Sequence, residues 1–288
     1  MKVRFWGTRG SFVAPGTAFQ RYGGNTICTE VTSGTSRLVL DLGTGCIPLG
    51  HSLAGEAAKG GSKRFAVLLS HTQIDHIQGL PFFVPALVPG WDISIMGPPT
   101  AGRDMTGVLD SALNPNYSPL YGVENLAATL SLTSMQEGDI QVDGFRVKVR
   151  ELPHGQTKAL GFRIEADGAS FAYLTDVEYG QDPPPAALEL AMDADLLVHD
   201  AMDTAEEVTR RHGLGHASPE DAVRVAKEAG AKRLLLYHHD PDRTDPAMDL
   251  LLERVRRTAP GLDIDGAREG IVVELGRASG SVGAAVRS

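Results

Sequence analysis

Four runs of strand length in this chain each stop at a histidine or an aspartate. "RFAVLLS" leads into His71, "FRVKVRELP" into His154, "FAYLT" into Asp176 and "LLLY" into His238. Short apolar or alternating runs read as buried strands. Loops at the ends of a rigid sheet are where chemistry concentrates. Strand ends gathered at one sheet edge can converge on a single point. For any one of these residues alone, a surface or capped side chain is the better reading. The stretch "HTQIDH" changes that balance, because His71, Asp75 and His76 follow a buried run within six residues. Buried charges need partners, and imidazole and carboxylate groups together suit zinc, iron and other divalent ions.

The remaining chain supplies a layered frame for such a site. "KVRFWG", "TICTEVTS" and "SRLVLDLG" read as early strands separated by glycine-rich turns, and "IPLGHSLAGEAAK" as a helix. "WDISIMG" is a further strand, stopped by Pro98 and Pro99. Residues 101–130 read as a helix plus a loop, a candidate lid carrying Tyr117 and Tyr121; packing of these tyrosines against their own domain is the favoured reading. Later come strands in "ALGFRIEADG", "ADLLVHD" and "KRLLLYHHD". Between the last two, Ser218 is a good N-cap, Pro219 fits the first helical position, and Gly230 ends the helix. Strands with interspersed helices predict a layered α/β domain. A single domain is expected over 1–275, with 276–288 a flexible tail.

Composition narrows the function classes. A formal net charge of -9 argues against a broad grip on nucleic acid, which needs a basic surface. It leaves room for a small phosphorylated substrate. No run approaches the length of a membrane-spanning helix. The opening "MKVRFWGTRGS" lacks the apolar core of a signal peptide. Cys28 and Cys46 make no disulfide framework and no CxxC pair, so the expected compartment is the reducing cytoplasm.

Taken together, "HTQIDH", "FWGTRGS", "RYGGNT", "LVLDLGTG", "LPH", "YLTDVEY", "LLVHDA", "GHAS" and "LLLYHHDP" resemble the metallo-β-lactamase-fold hydrolases, whose signature is HxHxDH. The resemblance covers nearly the whole chain. "HDA" followed by "GHAS" looks most like the phosphodiesterase branch, which includes tRNase Z and cyclic-phosphate and cyclic-nucleotide phosphodiesterases. It implies a four-layer αββα sandwich and two divalent ions, zinc or manganese, with iron a further option. His71, position 73 and His154 would hold the first ion. Asp75, His76 and His238 would hold the second, with Asp176 bridging. His238 is preferred to His239 because it directly follows "LLLY". The departure is Gln73, whose amide oxygen is a weaker zinc donor than imidazole. It could ligate directly, act through water, or leave the first position empty; a dinuclear site with a weakened first ion is the preferred reading.

The same resemblance implies roles for other residues. His216 in "LGHAS" is the candidate general acid and substrate contact, and Asp200 its orienting partner, with a cap at the strand end an almost equal alternative for Asp200. Asp75 is expected to ligate and to accept a hydrogen bond from the nucleophile. Asp41 is expected behind the ligands, holding the metal loop. Read from the residues rather than the resemblance, the glycines of "GTRGS" and "RYGGNT" suit a folded hairpin, while Arg9 and Asn25 are less easily explained that way and either could contact substrate. His199 and His212 read as structural or surface residues. The expected function is hydrolysis of a small phosphodiester such as a cyclic nucleotide or other cyclic phosphate by a metal-activated water. An RNA-processing nuclease of the tRNase Z type is the alternative enzyme; the long basic excursion that would hold tRNA is absent. β-Lactam or lactone hydrolysis ranks lower. A nucleotide-binding protein with a degraded metal pocket is the alternative outside catalysis. Relatives of this fold often dimerise, so a homodimer is expected on the resemblance alone.

Overall fold

The computed structural model of the chain describes residues 1–276 except positions 101 and 117. The readings made for Tyr117 and for the tail beyond residue 276 lie outside the described residues. The first half of the chain lays down β1 (Lys2–Gly7), β2 (Cys28–Ser33), β3 (Ser36–Leu40), β4 (Arg64–Leu68), β5 (Asp92–Gly97) and β6 (Thr129–Ser134). The second half lays down β7 (Gly138–Val142), β8 (Phe145–His154), β9 (Thr157–Ala166), β10 (Ala169–Leu174), β11 (Leu196–Asp200), β12 (Arg233–Tyr237) and β13 (Asp263–Gly266). The last strand, β14 (Val272–Glu274), returns to pair with β1. The result is two seven-stranded sheets, ordered β14-β1-β2-β3-β4-β5-β6 and β13-β12-β11-β10-β9-β8-β7.

Strand alternation sorts the apolar side chains into three layers. Leu38 and Leu40 of β3 face the second sheet, whereas Val39 faces the opposite way. Leu235 and Tyr237 of β12 face the first sheet, whereas Leu234 and Leu236 point outward. Both faces are apolar because helices cover the outer sides. Over the first sheet lie α1 (Cys46–Ala57), α2 (Ile74–Ile77), α3 (Val84–Leu87) and α4 (Met105–Ala112). Over the second lie α5 (Pro185–Ala191), α7 (Pro219–Glu228) and α8 (Asp245–Thr258), with the exposed α6 (Ala205–Arg210) near the sheet edge. This is the αββα sandwich expected from the sequence. Cys28 and Cys46 are free and buried beneath the first helical layer.

Strand direction then positions the site. β3, β4, β5 and β6 are mutually parallel, as are β10, β11, β12 and β13. β8 runs antiparallel to β9, and β9 antiparallel to β10, so β8 shares the direction of β10. The C-terminal ends of β4, β8, β10, β11 and β12 therefore carry His71, His154, Asp176, Asp200 and His238, or the residues just before them. Open α/β sheets bind ligands beyond such ends. Three of the residues that follow strands adopt positive φ: Asp41 at 61°, Asp176 at 53° and His238 at 53°. A non-glycine residue in that region is uncommon, and it persists where surrounding structure over-determines it.

α7 has the expected start: the Ser218 hydroxyl accepts from the Asp221 backbone, and the Asp221 carboxylate accepts from that of Ser218. Residues 101–130 hold α4 and the start of β6, and Tyr121 stays 73% exposed rather than packing on its own domain. Among the described residues no helix is long and apolar enough to cross a membrane. Phe162 is fully buried between the sheets. Phe162→Ala should therefore cost about 3–5 kcal/mol, the usual range for a large buried ring. Urea denaturation followed by circular dichroism measures this, and a loss well under about 1 kcal/mol would mean that the intersheet layer is not close-packed.

Candidate metal centre

The residues named from strand ends meet beyond the sheet edge. Asp75, His76, Asp176 and His238 each bring one ligand atom within 4.8 Å of the others, and so do His71, His154 and Asp176. Asp176 belongs to both groups. His76 Nε2 lies 3.2 Å from Asp176 Oδ1 and 3.6 Å from Asp75 Oδ2. His238 Nε2 lies 3.2 Å from Asp75 Oδ2 and 3.3 Å from Asp176 Oδ1. His71 Nε2 faces Asp176 Oδ2 at 3.7 Å. His239 turns the other way, its Nε2 donating to the Ala267 carbonyl at 2.8 Å.

Local backbone brings these groups in. Asp75 and His76 sit on α2, a single turn that begins directly after Gln73. The Ser11 N–H, at positive φ, donates to Asp75 Oδ2 at 2.8 Å and fixes that carboxylate. Two glycines are required by close approach. A Cβ at Gly10 would lie 2.3 Å from the His238 ring, and one at Gly215 would lie 2.0 Å from His154 Nδ1. The Gly215 carbonyl instead accepts from His154 Nδ1 at 2.8 Å, leaving Nε2 as the lone pair that faces the site.

Behind the ligands stands Asp41. Its Oδ1 accepts from the Ser70 backbone at 2.8 Å, and its Oδ2 accepts from the Tyr173 hydroxyl at 2.9 Å. The Ser70 hydroxyl reaches Asp41 at 3.0 Å and lies 3.2 Å and 3.1 Å from Nδ1 of His71 and His76. Asp41 Oδ2 is itself 3.3 Å from His76 Nδ1. Such contacts hold the outer nitrogen and turn Nε2 inward. Ser70 and Tyr173 were not singled out from the sequence. The only signal for Ser70 was a small hydroxyl residue placed between an apolar run and a ligand.

The electrostatics fit a cation. His71 Nε2, His76 Nε2 and Asp176 Oδ2 are buried with no hydrogen-bond partner, a state that is costly unless something else satisfies them. Burial works against the Asp176 anion, yet His238, His76 and His71 hold it well below the usual carboxylate range. Burial also opposes a charge on His76, but Asp176, Asp75 and Asp41 raise its pKa well above that of a free imidazole. Without metal, a proton on His76 thus takes part of the place of a dication, whereas burial holds the His71 imidazole neutral with its pKa well below that of a free ring; metal binding would expel the His76 proton. The donors fit: the Asp75, His76, Asp176 and His238 group offers two imidazoles and two carboxylates, and the other offers two imidazoles and a share of Asp176.

Gln73 lies at the second group, its amide nitrogen 2.9 Å from His154 Nε2. His216 Nδ1 is 3.0 Å from Asp200 Oδ2. Its ring packs on His238, with centroids 4.9 Å apart, and on His154 at 5.6 Å. It therefore sits across both groups. Burial disfavours its charge, but Asp200 overcomes this and lifts the pKa to about 9. Asp200 also accepts from the Val177 and Met202 backbones, at 3.2 Å and 2.9 Å. It caps no helix, since α6 is capped by Thr204. Glu178, also unmarked in the sequence, accepts from Gly213 and Gly215 and fixes the loop that carries His216.

Arg9, expected at the substrate, is instead fully buried and donates to the carbonyls of Gly23, Asp240 and Arg243 at 2.6, 3.0 and 2.8 Å, so it braces the turn at Gly23 and the 240–243 loop. Asn25 is held by Glu269, and its side-chain oxygen accepts from Thr44 at 3.1 Å. His199 is buried between the Tyr179 hydroxyl and the Asp200 carbonyl, and His212 pairs with Glu178 at the surface.

The fold has counterparts among known proteins. The family model described as the beta-lactamase superfamily domain matches residues 51–239. The chain belongs to the beta-lactamase superfamily that this model describes, and its fold is that of the metallo-β-lactamases. Ribonuclease Z from Myxococcus xanthus is 28% identical over 264 residues, which cover 73% of this chain and 80% of that protein. The metallo-beta-lactamase fold protein YhfI from Bacillus subtilis shares the fold at a TM-score of 0.68 and 22% identity, covering 94% of this chain and 98% of that one. Human tRNase Z, short form, does so at a TM-score of 0.65 and 19% identity, covering 96% and 99%.

Asp41 offers a clean test of the support behind the ligands. Asn tolerates the positive φ there, so Asp41→Asn removes charge while keeping the backbone. Metal affinity measured by chelator competition should fall about 10- to 100-fold. Unchanged affinity would reduce Asp41 to a residue of the fold.

Proposed function

We propose that this protein hydrolyses a small phosphodiester, such as a cyclic nucleotide or another cyclic phosphate, with two divalent ions. The carrying observation is the meeting of two ligand groups on one carboxylate, Asp176, with His216 packed against a ligand from each. Asp75, His76 and His238 would hold one ion, and His71, His154 and Gln73 the other. When bound, such a pair supplies an ionised nucleophile near neutral pH and neutralises charge on the phosphate.

The chain's own groups supply the rest. Asp75 is fixed by Ser11 and faces the centre, where it can accept a hydrogen bond from the attacking group. Asp200 holds His216 Nδ1, which leaves Nε2–H to donate to the departing alkoxide oxygen. Asp200 also keeps His216 protonated, and dications nearby would bring its pKa back toward neutrality. The cavity beside His71 and Gln73 has a volume of about 400 Å³, with Thr72, Met135, Thr157 and Leu160 among its walls.

The choice of a small substrate over a polymer rests on charge. Among the described residues, apart from His71, Lys158 is the one basic residue lining that cavity, and it is paired with Glu151. A polynucleotide needs several phosphate contacts, and the chain as a whole carries a net charge of -9. The cytoplasm is the compartment this reading assumes. Turnover of bis(p-nitrophenyl) phosphate and cyclic nucleotides, compared with cleavage of a structured precursor RNA, tests the choice. RNA cleavage with no small-substrate turnover would overturn it.

His216→Ala should lower kcat by about 100- to 10,000-fold, as loss of a general acid does, while metal content stays at the wild-type level. Loss of metal in this variant would make His216 a ligand instead. Asp200→Asn should produce a milder loss of kcat and flatten the acid side assigned to His216 in the pH–rate profile.

A further inference from the structure

We propose that the two metal positions fill in order. Asp75, His76, Asp176 and His238 would take a resident ion. His71 and His154 would take a second, exchangeable ion, admitted when the Gln73 amide turns over. This rests on the two-ion reading above and adds to it a dependence on free metal concentration.

Hydrogen bonding at His154 sets the order. Its Nδ1 lies 2.8 Å from the Gly215 carbonyl, which can only accept, so in the neutral ring that a metal requires Nδ1 carries the proton and Nε2 the lone pair. The Gln73 group 2.9 Å from Nε2 must then be the NH2 end, donating to that lone pair. An ion at this position needs the same lone pair. Its entry therefore breaks the Gln73–His154 bond, and only a half-turn of the amide presents Oε1 as a ligand. At the other position no described residue outside the ligand set holds a ligand nitrogen: His238 Nε2 lies 3.2 Å from Asp75 Oδ2 and His76 Nε2 3.2 Å from Asp176 Oδ1, contacts among the groups that would themselves ligate the ion.

Charge and exposure act in the same direction. The resident position draws on two carboxylates, Asp75 and Asp176, whereas the second shares only Asp176. His76 and His238 are fully buried, whereas Gln73 is exposed and lines the cavity with His71. One ion is enclosed and the other opens on solvent. A neutral amide oxygen is a hard donor, so the second position should favour manganese or magnesium over zinc relative to a position completed by imidazole.

The test is equilibrium dialysis of the whole protein against Mn2+ or Zn2+, with elemental analysis of bound metal. Wild type should keep one ion through gel filtration in metal-free buffer and take up the second at least about tenfold more weakly. Gln73→His should tighten the second zinc by at least about tenfold, the size that changing even a supporting partner of a metal ligand has, and leave the first unchanged. Gln73→Leu should abolish the second ion and keep the first. Gln73 is exposed and its side chain makes no cap bond to α2, so these variants should fold. Two equally tight ions in wild type, or a Gln73→His variant that changes only the first ion, would overturn the order while leaving two-ion chemistry standing. No retained metal in any variant would overturn both.

Discussion

Asp176 is fully buried, sits at a φ of 53° and faces three imidazoles. A carboxylate moved out of water without compensation costs several kcal/mol, so this position is tenable only if positive charge collects around it. His76, whose pKa the surrounding carboxylates raise well above that of a free imidazole, supplies part of that charge as a proton when metal is absent and can exchange it for an ion. The remaining architecture can be read as the apparatus that brings those imidazoles in. Parallel strands from both sheets end at one edge, Asp41 and Ser70 orient two rings, and Gly10 and Gly215 clear room for two others.

Much of this was legible in the chain. His71, Asp75 and His76 follow one strand and its first turn, so their proximity is local. His154, Asp176 and His238 were visible as polar residues at the ends of apolar runs. Which of them meet is a matter of topology, and there resemblance to a known family carried what spacing could not. The capping pattern of α7 was also readable, because its partners lie within four residues.

What escaped was long-range. Arg9, in a glycine-rich stretch, has the look of a phosphate handle, but its acceptors come from Gly23 and from the distant Asp240 and Arg243. Tyr173 reaches Asp41 from the other sheet. β6 and β7 were not read as strands, since their side chains are largely exposed or half-buried and give a weak apolar signal. α8 carries Met248, Leu251, Leu252 and Val255 as a buried stripe at helical spacing, a local signal in the sequence.

The two kinds of site residue stand on different supports. Ligands stand on strand ends backed by the intersheet core, where motion is small. His216 stands on a loop, yet that loop is tied by Glu178 to the chain that follows β10 and by Asp200 to the end of β11. A side chain so restrained stays packed against His238 and His154, one from each ligand group. Anomalous diffraction from crystals grown with ample manganese is the most direct measurement of the central claim. The account predicts two peaks about 3.5–4 Å apart, the spacing of two-ion sites, with Asp176 between them. No peak at the cluster, or ions lodged elsewhere while these side chains turn apart, would contradict it.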